Sequence, residues 1–260
     1  QELYGKLYKL AGRLKPGREL NLPLVRQTAF DMKTVMANGG FPYAVVTHRF
    51  DTAGGVSACK VIFQIAPDSL VHFGQVAVEG SKRFPEKAAR RELTVKSGEK
   101  YRRDALIESQ SRLFAAGYYN SAQLSQDASS GDRLNPDLVV RVRERKTRYA
   151  TIRTGAGQSE VRDLQWDLSA IFGKRNFFGT RRLTSQAGYS FSFGQDSRLI
   201  DHFYRLSFTE PWFLGFRQPL TVSGEYKPKL QSTLQDYDLQ SWSVSLSTSR
   251  KITSELSASG

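Results

Sequence analysis

Cysteine is nearly absent. The single Cys59 among 260 residues excludes a disulfide framework within the chain and a zinc site built from several cysteines. Histidine is almost as scarce: His48, His72 and His202 stand far apart, none at metal-ligand spacing from another or from Cys59. No window approaches the roughly 18 uninterrupted apolar residues of a membrane-spanning helix, so helical spans are excluded. A transmembrane β-barrel is not, because its strands alternate and its mean hydropathy stays low. No basic start, apolar stretch and small-residue cleavage site follows Gln1, so the chain is expected to begin as mature protein or as a piece of a longer one. Catalytic signatures are also missing. Gly155-Ala156-Gly157-Gln158-Ser159 lacks the strand-to-helix context of a nucleophile elbow or phosphate loop, and reads as glycines at a strand end. Cys59 alternates with Val61, Phe63 and Ile65, which marks it as a core residue rather than a nucleophile. The expectation is a protein that is not an enzyme, with no cofactor and no metal.

What is present is 39% hydrophobic and 24% charged residues, which is neither a disordered tail nor a helical membrane protein. The 38 basic against 25 acidic residues give a formal charge of +13, a balance that often marks polyanion binders. The excess is about +8 up to Arg145 and about +5 beyond it, so no single tail carries it and the charges read as scattered over solvated faces. Sixteen Phe and eleven Tyr supply aromatic surface, and 21 Gly fit a chain with many turns.

The first half repeats itself at a spacing near 80 residues. Leu14–Val45 and Val95–Leu124 each carry Lys-x-Gly, an apolar or aromatic position (Leu20, Tyr101), an amphipathic helix, a Gly-aromatic pair (Gly40-Phe41, Gly117-Tyr118) and then a strand. In the second copy Leu106, Leu113 and Phe114 would form the helix's core stripe, Asp104 complements its dipole and Gly117 caps its end. A strand with Phe73, Val76 and Val78 and a short helix over Pro85–Leu93 precede it; strands Ser121–Asp127 and Asp137–Arg143 follow. The first copy predicts helices over 1–11 and 22–38 and strands Ala44–Phe50 and Ser57–Ile65, without an opening strand. The chain is therefore expected to start inside a domain.

After Arg145 the periodicity switches to two. Leu164, Trp166, Leu168, Ala170 and Phe172 oppose Gln165, Asp167 and Ser169. Leu183, Ala187, Tyr189, Phe191 and Phe193 oppose Thr184, Gln186, Gly188, Ser190 and Ser192. Ile200–Thr209, Leu220–Lys227 and Ser241–Ser247 alternate likewise, with Phe203 as an exception. Strands of about 9–11 residues with one large-apolar and one small-polar face are the pattern of a transmembrane barrel. A soluble β-sandwich also alternates. The Ser, Thr and Gln content of the polar face and the aromatic clusters Phe177-Phe178 and Trp212-Phe213, placed in connections, favour the membrane.

Several motifs resemble a known family. VAVEGSKRFPEKAARREL (76–93), KSGEKYRRDAL (96–106) and RLFAAGYYNSAQL (112–124) are similar to polypeptide-transport-associated (POTRA) domains. GKRNFFGTRRL (173–183) and FTEPWFLGFRQPL (208–220) resemble early-barrel signatures of the outer-membrane assembly-barrel superfamily, BamA and TamA included. The resemblance implies an α+β fold of two β-α-α-β-β modules followed by part of an antiparallel transmembrane β-barrel. Residues 1–70 would be a POTRA-like domain lacking its first strand, 71–145 a second one, and 146–260 the first strands of a barrel of about 16. About six strands and the start of a seventh are countable. The inward-folded loop motif is missing, since no Arg-Gly pair exists, and so is an aromatic-ended last strand. The sequence therefore looks like an internal fragment.

The resemblance also implies a site without chemistry. The strand after the Gly-aromatic turn would accept client chains by edge pairing: Asn120, Ser121, Ala122, Gln123, Leu124 and Ser125 within Asn120–Asp127, and Ala44–Phe50 in the first copy. Lys146–Gly157, with Arg148, Tyr149, Ala150, Thr151, Ile152 and Arg153, would be the first barrel strand and a weak lateral seam. The implied function is assembly and insertion of unfolded outer-membrane β-barrel or autotransporter-type precursors, with accessory subunits and membrane lipid as further partners and no nucleic acid. The implied place is the bacterial outer membrane, with the POTRA-like domains in the periplasm. Two alternatives stand beside it: a two-partner secretion transporter exporting a polypeptide through its pore, and a soluble, basic, β-rich polyanion binder. If Lys146 enters from the periplasm, GKRNFFGTRR and EPWFLGFRQ form periplasmic turns, while GQSEVRD, GQDSR and PKLQSTLQDYD lie outside.

Overall fold

The computed structural model describes residues 2–52, 59–127, 131–159, 162–193, 198–231, 238–251 and 257–259. The chain divides into two compact units, Gln1–Ser81 with Ala89–Arg143, and Lys82–Ala88 with Glu144–Gly260.

In the first unit the first repeat forms helices α1 (Glu2–Ala11) and α2 (Leu22–Asn38) and strands β1 (Val45–Asp51) and β2 (Lys60–Ala66). The start of α2 is set by Asn21, whose side chain accepts the Leu24 N–H, with Pro23 in the first turn. Its end is set by Gly40 at φ +91°, a left-handed conformation that favours glycine. Leu7, Met32, Met36 and Ala44 form a core onto which Val46, Phe63 and Ile65 pack from the sheet. β1 and β2 pair antiparallel from Val45↔Ala66 to Asp51↔Lys60. Cys59 corrects its expected place: it is exposed. It precedes the last register pair, and the core that takes Phe63 and Ile65 does not reach it. Ser57, the expected start of this strand, lies outside the described residues.

The second repeat runs β3 (Val76–Glu79), α3 (Glu86–Arg90), α4 (Arg103–Ala115), β4 (Tyr119–Gln126) and β5 (Leu138–Glu144). The sheet order is β3-β5-β4, with β3 parallel to β5. Two expectations shift. The strand through Phe73 shortens to β3, because the chain at Gly74 comes so close to Asn135 and Asp137 that a Cβ there would lie 2.5 Å from the Asn135 carbonyl oxygen. The buried stripe of α4 is Ala105, Ser109 and Leu113, at intervals of four, with Leu106 at its flank. Phe114, one residue round the helix from Leu113, is 45% exposed. α4 does end as expected, at a left-handed glycine, Gly117, with φ +77°.

The two repeats are tied together. Ala37 of α2 sits in one cluster with Val71, Phe73, Val95, Tyr101, Ala105 and Leu138. The Val71 N–H donates to the Gly40 carbonyl at 2.8 Å. Arg102, at the N-cap of α4, offers no side-chain cap. Asn38 supplies one from the other repeat: its Oδ1 accepts the Asp104 N–H at 2.9 Å and its Nδ2 donates to Asp104 Oδ2 at 2.6 Å.

The second unit is a meander of strands β6 (Arg148–Ser159), β7 (Arg162–Phe177), β8 (Arg181–Phe193), β9 (Arg198–Glu210), β10 (Leu220–Gln231), β11 (Asp238–Lys251) and β12 (Ser257–Ser259), each antiparallel to the next. Six long strands and the start of a seventh match the expected count. They are longer than 9–11 residues, because the turns are tighter than the sequence suggested. β7 runs through Phe177, leaving Phe178 and Gly179 in left-handed conformations to reverse the chain with Thr180. Phe177 thus belongs to a strand rather than a connection. Trp212 and Phe213 do lie in one, around a short 3₁₀ turn at Phe213–Gly215.

Candidate functional site: two open strand edges and an outward apolar band

The register of the large sheet sorts its two faces. One cross-strand row reads Ile152, Ala170, Ala187, Tyr204, Tyr226 and Trp242; the row beside it reads Thr151, Ile171, Gln186, Arg205, Glu225 and Ser243. On the first face Ile152 is 75%, Phe172 59% and Val244 83% exposed, alongside Leu206 and Trp242. Apolar surface on this scale, continuous over six strands, does not face water. The opposite face carries Tyr149-Gly173-Thr184-Ser207-Ser223-Ser245 and an ion pair from Arg205 to Glu225, with Nε donating at 2.8 Å. Phe203, the exception to the alternation, stands on this polar face over Gly188, where a Cβ would lie 2.3 Å from its ring. The missing side chain makes room for the aromatic.

Among the described residues β6 pairs with β7 along one side and with no strand along the other. Arg148, Ala150 and Ile152 share the apolar face, and Tyr149, Thr151 and Arg153 the polar one. Tyr149 is held at the strand's base. Its ring lies over Gly173, its hydroxyl is 3.4 Å from Thr184 Oγ1, and the Arg175 guanidinium stacks 4.1 Å above it. Arg175 also donates to the Lys146 carbonyl at 2.9 Å. Farther along, Gly155 and Gly157 have open space where side chains would be.

β4 is likewise a sheet edge, with its other side on β5. Tyr119 and Ala122 are buried and anchor it, whereas Asn120, Ser121 and Gln123 are exposed and Leu124 and Ser125 half-buried. In the first repeat β1 pairs, among the described residues, with β2 alone; Ala44, expected at the strand's start, is buried just before it. Two of the three histidines pack on aromatic rings, His48 meeting Phe50 edge-on at 5.6 Å and His202 stacking on Tyr189 at 6.0 Å, while the backbone of His72 forms a β-bridge to Lys100. Among the described residues no group of three or more His, Cys, Asp or Glu could hold a metal.

One constellation escaped sequence reasoning. Glu144 accepts the backbone N–H groups of Lys82, Arg83 and Phe84 on a single Oε1, at 2.7, 2.7 and 2.9 Å. About 60 residues separate donors and acceptor, so no local pattern announces it. A second polar cluster lies in the first unit. Arg133 pairs with Asp68 at 2.8 Å and stacks on Tyr43. The Ser69 N–H and this arginine hold the Asp68 carboxyl below its ordinary range. The Asn135 side chain and the N–H groups of Leu134 and Asn135 do the same for Asp132.

Fold and surface define a class: an α/β region followed by a meander of long strands with one broadly apolar outward face. Residues 71–145 match the POTRA family, described as surface antigen variable number repeat. The chain is 22% identical over 201 residues to the outer membrane protein assembly factor BamA of Neisseria meningitidis, covering 77% of this chain and 24% of that one. Its fold superposes on BamA of Haemophilus ducreyi lacking POTRA domains 1–3 with a TM-score of 0.74 at 18% identity, over 100% of this chain and 47% of that one. CdiB from Acinetobacter baumannii gives 0.53 at 13% identity, over 96% and 47%. The chain spans about a quarter of the length of the curated relatives it matches. Residues 71–145 are thus a POTRA domain, and the chain as a whole is similar in sequence and fold to outer-membrane assembly factors of the BamA kind. It is an outer-membrane protein with its POTRA region in the periplasm.

Proposed function

We propose that the protein containing this chain is an outer-membrane assembly factor, that residues 1–70 and 71–145 are two POTRA modules, and that clients are received at β4 and passed to β6 by strand addition. The observation carrying the reading is the edge of β4, which among the described residues borders the three-stranded sheet, with β6 following as the first strand of the large sheet. Only Arg145–Thr147 separate β5 from β6 in the chain. An unpaired strand edge offers N–H and C=O groups that recognise any extended chain irrespective of its side chains. That suits a factor with many clients. Asn120, Ser121 and Gln123 keep the β4 edge polar until a client arrives, and Arg148 to Arg153 form the seam that admits it. Unfolded barrel precursors, accessory subunits and lipid are the partners this mechanism needs.

Proline scanning tests it. Successive N–H groups along a strand point to opposite sides, so of Gln123→Pro and Leu124→Pro one removes a donor from the open edge, and likewise of Ile152→Pro and Arg153→Pro. The open-edge variant should slow client insertion by the full-length protein about fivefold or more per lost hydrogen bond, with folding checked separately. Alanine at the same positions should be nearly neutral. Equal defects from alanine and proline would point to side-chain recognition, and unimpaired folded proline variants would show that neither edge receives clients. The likeness to CdiB favours a second reading, a two-partner secretion transporter. In vesicles the two differ by the client's destination, embedded in the bilayer or released across it.

A further inference from the structure

The outward face of β6 and β7 changes character at its base. Ile152 and Ala150 lead to Arg148, and Ala170 and Phe172 lead to Lys174, with Arg148 and Lys174 directly opposed in register. Two like charges opposed across a strand pair destabilise it. Arg181, on the next strand, has its own neutraliser in Glu210 at 2.6 Å. Arg148 and Lys174 have no carboxylate partner among the described residues. Arg148 is exposed and Lys174 half-buried, two residues from Phe172, which is 59% exposed. Along a strand two residues are about 7 Å. The face therefore steps from acyl-chain chemistry to a pair of unneutralised cations within the depth of one lipid headgroup.

We propose that the phosphate of an anionic phospholipid in the periplasmic leaflet sits between Arg148 and Lys174 and clamps the base of β6 to β7. The lipid turns a repulsive cross-strand pair into a bridged one, so bilayer composition sets how firmly the edge strand is held. Charge and geometry select this occupant: a second protein would have to displace bilayer from a face that is apolar immediately beyond. The inference is independent of client handling.

The test uses the full-length protein in vesicles of phosphatidylcholine alone or with part of it replaced by phosphatidylglycerol, reading hydrogen exchange at the backbone amides of residues 148–153. Phosphatidylglycerol should slow exchange about five- to tenfold, and high salt should weaken the effect. The double variant Arg148→Gln, Lys174→Gln should exchange alike in both vesicles, whereas Arg182→Gln, on the polar face, should keep the lipid dependence. Exchange independent of phosphatidylglycerol, a double variant that retains the dependence, or the same slowing by inorganic phosphate in phosphatidylcholine vesicles would overturn the proposal. If the double variant fails to fold, the wild-type lipid, phosphate and salt arms decide it.

Discussion

Gly80 and Gly98 share a left-handed backbone, at φ +89° and +81°, yet a side chain would fare differently at each. A Cβ on Gly80 would lie 2.1 Å from the Val142 carbonyl oxygen, whereas one on Gly98 meets nothing within 4 Å. Gly98→Ala should therefore cost only the left-handed conformation, about 1–2 kcal/mol. Gly80→Ala adds a clash with the backbone of β5 and should cost about 3–5 kcal/mol. Denaturant unfolding of the POTRA region in the full-length protein, followed by proteolysis, separates the two. Equal losses would show that β5 moves aside freely. Both glycines are visible in the sequence, but what distinguishes them is not. The same holds for Cys59, Phe114 and Phe203. Alternation told which residues could share a face, but the extent of the covering core decided that Cys59 and Phe114 stay outside. Phe203 reads as an error in the pattern until Gly188, opposite it in register, supplies the space.

At the scale of elements, periodicity carried most of the fold. Period two located the six long strands, and the Lys-x-Gly and Gly-aromatic pattern located both α2 and α4. Their ends were less readable, because turn tightness depends on left-handed residues such as Phe178 that have no compositional mark. The two candidate edges were placed in the chain by sequence, whereas their standing as edges is a property of strand order. Glu144 was legible in neither way. Its Oε1 satisfies three successive N–H groups that follow β3, a charge-assisted arrangement worth more than neutral hydrogen bonds. Glu144→Ala leaves those donors to water and should destabilise the 82–84 turn by about 1–3 kcal/mol. The measurement is amide exchange at Lys82, Arg83 and Phe84, which should accelerate by tenfold or more while Glu144→Gln, which keeps an acceptor, lies between. Unchanged exchange in Glu144→Ala would mean that the turn is fixed by other contacts.

For the whole molecule the charge of +13 suggested a polyanion, and the outward apolar band redirects that reading toward a bilayer. With the POTRA region in the periplasm, β6 should enter the membrane from that side. The register then fixes every turn: Arg148 pairs with Lys174, and Arg181 bonds Glu210, so the turn at Phe178–Thr180 and the connection around Phe213–Gly215 lie at the entry end. Gln158 belongs to the far end by strand parity; the segments around Gln195 and Ser232, expected there, lie outside the described residues. Cysteine labelling of the full-length protein in intact cells tests this orientation. Gly179 is a poor reporter, since its φ of +84° resists a side chain, whereas Phe216 has ordinary extended backbone and is 61% exposed. Because Cys59 is itself exposed, the background must carry Cys59→Ser. An impermeant maleimide should then label Gln158→Cys and spare Phe216→Cys until the outer membrane is permeabilised. The reverse pattern would invert the barrel, and would put the cations Arg148 and Lys174 in the outer leaflet, away from the phospholipid proposed to bridge them.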